Sequence, residues 1–126
     1  MLEERFFDSD GVNLHYLDWG GAGRPLVLLA GLGDTAHLYR GLAPRLASRF
    51  RVVGLTRRGH GRSSRPDSGY ELDTHVQDIR PYLDTLWIDR SILVGHSFGG
   101  LEMPLFAIRY PQRVEAIVYL DALFPR

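Results

Sequence analysis

The sequence has no cysteine, which excludes disulfides, thiolate metal sites and a cysteine nucleophile. It has no lysine either: all 15 basic residues are arginine, a compositional bias that carries no functional meaning by itself. Fifteen acidic residues balance them, so the formal charge is zero and nothing points to a nucleic-acid partner. No apolar run approaches membrane-spanning length, which argues against a membrane partner. The opening Met1-Leu2-Glu3-Glu4-Arg5 lacks the apolar core of a signal peptide. Internal repeats, low-complexity tracts and interdomain linkers are absent. So is ligand spacing of the H-E-x-x-H kind, and neither a metal nor a cofactor is expected. What is there is 126 residues, 44% of them hydrophobic, enough for one domain with a buried core. A soluble cytoplasmic protein is the default expectation.

The apolar pattern predicts alternating elements. Arg5 to Asp8 and Val12 to Trp19 read as two strands, joined by a tight turn at Asp8-Ser9-Asp10-Gly11. Pro25 to Ala30 is a continuous apolar run, which suits a strand buried on both faces. Leu38, Leu42 and Leu46 recur at four-residue spacing and mark a short helix. Arg51 to Leu55 is the next strand, and the Gly-, Ser- and Arg-rich stretch 57–69 is a loop. Its arginines (Arg57, Arg58, Arg62 and Arg65) read as a solvated basic surface with ion pairs. Leu72, Val76, Ile79, Leu83 and Leu86 repeat at helical spacing. Thr74 with Gln77 suggests a capping box, and Pro81 should kink or interrupt that helix. Ser91 to Gly95 is a strand, Phe98 to Tyr110 a helix apolar nearly all round, and Val114 to Leu120 a last strand. This order predicts an α/β fold: a mostly parallel twisted sheet of about six strands, the first two an antiparallel hairpin, with helices on both faces.

The chemistry concentrates at Gly95-His96-Ser97-Phe98-Gly99. A Gly-x-Ser-x-Gly between a strand and a helix forces the serine into a cramped turn, where residues two before and two after it must lack a Cβ. The hydroxyl then projects above the sheet. The Phe98 amide lies at a helix N-terminus, suited to stabilising a developing oxyanion.

Four segments in order carry a resemblance to the α/β-hydrolase fold family. Ala30-Gly31-Leu32-Gly33-Asp34 resembles the oxyanion loop after the third strand, with Ala30 where histidine is usual. Arg58-Gly59-His60-Gly61-Arg62-Ser63 is similar to the Gly-x-Gly-x-Ser loop after the fourth strand. Leu93 to Gly100 resembles the nucleophile elbow, and Tyr110 to Val114, running into Leu120-Asp121-Ala122, the sixth strand and its approach. The resemblance implies Ser97 as nucleophile, with the Leu32 and Phe98 backbone N–H groups as oxyanion donors. Gly31, Gly33, His37 and His96 would line the substrate pocket. Members that open epoxides or remove halide carry aspartate at the elbow, so serine points to carboxylesterase-like cleavage of ester or similar acyl substrates.

In this family the acid and then the histidine follow the serine. The five histidines here (His15, His37, His60, His75 and His96) all precede Ser97. The expectation is therefore one incomplete domain over 1–126, the N-terminal half of a hydrolase core, weak or inactive alone and completed by a C-terminal half. Asp121 is a candidate for the triad acid, with a purely structural aspartate as the alternative. His96 is expected to pack, His60 to structure its loop, and His15 and His75 to sit at the surface or pack. Tyr119, Leu120, Leu123 and Phe124 are expected to pack against whatever follows. A second reading is a non-catalytic half-domain that forms a homo-oligomer through its open sheet edge. A binding-only relative, of the hormone-receptor kind, keeps the same elbow.

Overall fold

The structure, a computed structural model, describes residues 2–122. Strands β1 (Glu3–Ser9) and β2 (Val12–Gly20) form the antiparallel hairpin. Asp10 (φ 48°) and Gly11 (φ 88°) make its turn, the two left-handed residues that a right-twisted hairpin favours. Then come β3 (Arg24–Leu29), β4 (Phe50–Leu55), β5 (Ser91–Ser97) and β6 (Val114–Ala122). The sheet order is β1-β2-β4-β3-β5-β6. From β4 to β6 every pairing is parallel, and β2 meets β4 antiparallel. The chain thus leaves β3 in one direction to make β4 and crosses back to make β5. The C-terminal ends of β3 and β5 flank the switch point where such sheets bind ligands.

Alternation along β3 divides the core in two. Val27 and Leu29 face one layer with Leu93, Ile79, Leu83, Met103 and Phe106; Leu26 and Leu28 face the other with Trp19, Val52, Val94 and Tyr39. The first layer is covered by α2 (Leu72–Thr85) and α3 (Gly99–Arg109). The second is covered by a 3₁₀ turn, Ala36–Tyr39, and the short α1 (Ala43–Leu46). A strand with apolar side chains on both faces explains the unbroken run at Pro25 to Ala30.

Several local expectations are corrected. The stretch around Leu38, Leu42 and Leu46 is two short pieces, and Leu38 and Leu42 are exposed. Ala36, Tyr39 and Ala43 face the sheet instead. They fit because the approach is close: a Cβ at Gly54 would stand 3.2 Å from the Ala36 Cβ. Pro44, in the first turn of α1, cannot supply the amide that a continuous helix would need there. Helix α2 runs unbroken through Pro81, held by its packing under the sheet. No Thr74–Gln77 capping box forms: Glu71 is the N-cap, and the Thr74 hydroxyl donates to the Glu71 carboxylate at 3.0 Å. Among the described residues, helix α3 is covered on one side only; Ile108 is 76% exposed. Leu123 and Phe124 lie outside the described residues. No helix among those described is long and apolar enough to cross a membrane.

Candidate active site

Ser97 ends β5 with φ 52°, a left-handed conformation that a side chain tolerates only under constraint. Both flanking glycines are explained by contact. A Cβ on Gly95 would stand 2.7 Å from Met103 Cε and 3.1 Å from the Gly99 carbonyl carbon. A Cβ on Gly99 would stand 3.2 Å from the Leu29 carbonyl oxygen. Strand β5, the turn and helix α3 can pack this tightly only without those methyl groups. Ser97 itself is half-buried at the tip of the strand.

Across the switch point lies the loop after β3. Leu29 pairs with Gly95, which sets Gly31 against Ser97. A Cβ at Gly31 would stand 3.0 Å from Ser97 Cβ and 3.4 Å from its Oγ. The Asp34 N–H donates to the Gly31 carbonyl at 3.2 Å, and Gly33 has φ 84°, the positive angle of the third residue in a type II turn. Leu32 occupies the second position and is exposed, with its amide outside the turn bond.

Arg57 fixes the direction of that amide. Its guanidinium donates to the Ala30 carbonyl at 2.8 Å and the Gly31 carbonyl at 3.2 Å. The Gly31 C=O and the Leu32 N–H belong to one trans peptide and point opposite ways. Holding the carbonyl inward therefore turns the Leu32 N–H outward. Arg57 also pairs with Glu102 in the first turn of α3 (Nε to Oε2, 3.0 Å) and lies 5.1 Å from the Phe98 ring centre. Beside it, Arg58 makes a two-pronged bond to Asp78 of α2 at 2.7 and 2.8 Å, and Asp78 also accepts from Ser9 of β1 at 2.6 Å. Arg57 and Arg58 are buried, which corrects their reading as solvated loop residues; the hydrogen bonds to Asp78 hold the Arg58 pKa up against the lowering effect of burial. Arg57 is the site residue that motif reading missed. Its signal was Glu102, the lone acid in a largely apolar helix.

Asp121 lies within β6 rather than beyond it, at φ 46°. The β5–β6 register shifts at this point: His96 pairs with Leu120, Ser97 with Ala122, and Asp121 bulges between. The bulge brings the Asp121 backbone alongside Ser97.

The histidines are dispersed. His15 is buried, with Nδ1 2.9 Å from Thr56 Oγ1 and Nε2 2.7 Å from Glu4 Oε1; burial holds its pKa below the usual value. His37 is exposed, stacks on His15 and engages the Thr35 hydroxyl at 3.1 Å. His60 Nδ1 lies 3.0 Å from the Arg58 carbonyl, a loop-structuring contact. His75 is buried, edge-on to Phe98, with Nδ1 unpartnered; burial, then Arg57, pushes its pKa down to about 4. His96 is half-buried, with its unpartnered Nδ1 toward Gly31. Among the described residues, no imidazole hydrogen-bonds to Ser97.

A serine held at a left-handed strand tip, facing a turn with an outward amide, defines an α/β protein of the nucleophile-elbow architecture. The family described as alpha/beta hydrolase fold matches residues 24–125, and this chain belongs to it. The chain is 36% identical over 124 residues to haloalkane dehalogenase 2 of Mycobacterium tuberculosis, covering 98% of this chain and 43% of the relative. It is 34% identical over 124 residues to epoxide hydrolase 4 of Mus musculus, covering 96% of this chain and 34% of the relative. The solved structure of Est816, described as an N-acyl homoserine lactone degrading enzyme, superposes with a TM-score of 0.89 at 31% identity. That match covers 94% of this chain and 45% of the other. The chain thus spans less than half the length of each of these relatives.

Proposed function

We propose that this chain carries the nucleophile half of a serine hydrolase for ester or similar acyl substrates. The observation that carries the reading is Ser97, strained at the tip of β5 with its hydroxyl against the Gly31–Asp34 turn. In this reading Ser97 Oγ attacks the substrate carbonyl carbon. The carbonyl oxygen takes up the negative charge and is met by the Leu32 and Phe98 N–H groups. The alcohol leaves with a proton, and water cleaves the acyl-serine to restore the hydroxyl.

Chemistry separates this reading from the activities for which the two curated relatives are named. A serine that opened an epoxide or displaced halide would be left as an alkyl ether. That ether has no carbonyl for water to attack, so the enzyme would stall after one event. An acyl-serine has that carbonyl. Lactone opening, the activity in the description of Est816, is acyl chemistry of this kind. Asp121, on its bulge beside Ser97, is the candidate for the acid that orients a base, and His96, Gly31 and Gly33 are the candidates for the pocket wall. His37 is the weaker pocket candidate, because it turns toward His15. None of the five histidines bonds to Ser97, so turnover is expected to need a base from a complementing segment.

A fluorophosphonate probe tests the proposal by mass spectrometry. Covalent labelling at Ser97, accelerated by a complementing C-terminal half and abolished in Ser97→Ala, is the expected result. No labelling of the complemented protein would overturn it.

The open edge favours a second reading, a half-domain that pairs with a second copy. Among the described residues β6 bonds to β5 alone along nine residues, and Val118 on it is exposed. Light scattering after size-exclusion chromatography should then give a dimer. A folded, strictly monomeric chain at high concentration would rule this reading out.

A further inference from the structure

We propose that Glu4, His15 and His37 form a binding site for a divalent cation of the zinc class. The site is separate from the elbow and is built by three elements. Glu4 comes from β1, His15 from β2, and His37 from the 3₁₀ turn that follows the Gly31–Asp34 loop. One ligand atom from each lies within 4.8 Å of the other two.

The buried member is already oriented as a metal ligand would be. The His15 side chain is 1% exposed. Its Nδ1 is held by the Thr56 hydroxyl, and that oxygen is itself fixed by the Ala36 N–H at 3.1 Å. Its Nε2 faces the Glu4 carboxylate. A histidine anchored through one ring nitrogen presents the other in a set direction, the arrangement found behind metal-bound imidazoles. His37 has the same form, with Nδ1 on the Thr35 hydroxyl. The two rings lie nearly parallel, 5.5 Å apart.

The donor set chooses the cation. Two imidazole nitrogens and one carboxylate oxygen suit Zn²⁺, or Ni²⁺ and Co²⁺ in its place. Mg²⁺ and Ca²⁺ require mostly oxygen ligands. Ligand atoms around one zinc stand roughly 3 Å apart, from bonds of about 2 Å at tetrahedral angles. Glu4 would draw back slightly from its 2.7 Å contact, and His37 would swing inward. Both residues are exposed and have room to do so, and water would complete the coordination. The proton balance closes within the site. The proton on His15 Nε2, shared with Glu4, is replaced by the cation and moves to Nδ1. There the Thr56 hydroxyl turns from donor to acceptor.

Arg62 opposes the cation. Its guanidinium pairs with the second Glu4 oxygen at 3.0 Å and places a positive charge beside the site. Binding would tie the N-terminal hairpin to the segment leaving the Gly31–Asp34 turn. An ordinary structural pair of Glu4 and His15 would need neither His37 nor a response to Arg62, and this difference separates the two explanations.

The test is calorimetric titration of the full, tag-free chain with Zn²⁺, supported by the visible spectrum of the Co²⁺ form. One Zn²⁺ per chain with micromolar affinity is expected, with no binding of Mg²⁺. His37→Ala and Glu4→Gln should each weaken binding at least tenfold, and Arg62→Gln should tighten it severalfold. All three positions are exposed, and circular dichroism would verify the fold of each variant. Absence of binding below millimolar Zn²⁺, or binding that His37→Ala leaves unchanged, would overturn the proposal.

Discussion

Ser97 is strained, and the strain is local. Among the described residues four non-glycines have positive φ: Asp10, Trp87, Ser97 and Asp121. Asp10 lies in a hairpin turn that favours such angles. Ser97 and Asp121 have no such excuse, and they stand next to each other where β5 and β6 end. Strained residues gather where function requires a side chain to be held off its relaxed path. A measurable consequence follows from comparing two variants that both remove the hydroxyl. At an ordinary position alanine is more stabilising than glycine, because glycine frees the unfolded chain. At φ 52° the order should reverse, since a Cβ is penalised there by roughly 1–2 kcal/mol. Ser97→Gly is expected to exceed Ser97→Ala in unfolding free energy by about 1 kcal/mol in urea titrations. Equal stabilities, or alanine ahead, would mean that the elbow stores no strain.

At the scale of elements, the site depends on a buried ion pair more than on any single strand. Arg57 joins the loop after β4 to the turn after β3 and, through Glu102, to α3. Removing one partner of a buried pair leaves the other charge uncompensated. Glu102→Ala is therefore expected to cost about 3 kcal/mol of unfolding free energy, and the double variant Arg57→Met/Glu102→Leu to recover much of it. If Glu102→Ala costs less than about 1 kcal/mol, the pair does not hold these elements together. This pair also marks the limit of what the sequence reveals. The strand–helix alternation was legible because apolar periodicity is local, and the elbow because a strand, a glycine-flanked serine and a helix are contiguous. The burial of Arg57 and Arg58 was not, because it depends on Glu102 and Asp78, which come from distant helices. The leucine spacing at Leu38, Leu42 and Leu46 misled for a related reason. The sheet lies so close that Ala36 and Ala43 pack against it, and two of the larger leucines are turned outward. The bulge at Asp121 depends on the β5–β6 register, which no local pattern encodes.

At the scale of the whole molecule, the layers on either side of the sheet differ in kind. The layer under the 3₁₀ turn and α1 is mainly apolar, with His15 and Thr56 as its buried polar pair; the layer under α2 and α3 contains His75, Arg57, Asp78 and Glu102 around one small cavity. His75 makes the fold sensitive to acid. Burial is the largest effect on it, the Arg57 guanidinium adds to it, Asp78 opposes it, and the result is a pKa of about 4 against 6.5 in a free chain. Between those two values the unfolded chain binds a proton that the folded chain refuses, so stability rises with pH across this window. The contribution of His75 is complete above about pH 6.5 and is lost as the pH falls toward 4, by roughly 3 kcal/mol in all. Urea unfolding at intervals from pH 7 to pH 4.5 should show a steep decline for the unmodified chain. His75→Gln keeps similar volume without a titrating ring, so its decline should be shallower by most of that amount. Parallel curves for the two proteins would show that the imidazole is protonated inside the fold without penalty, and would remove His75 as the source of acid sensitivity.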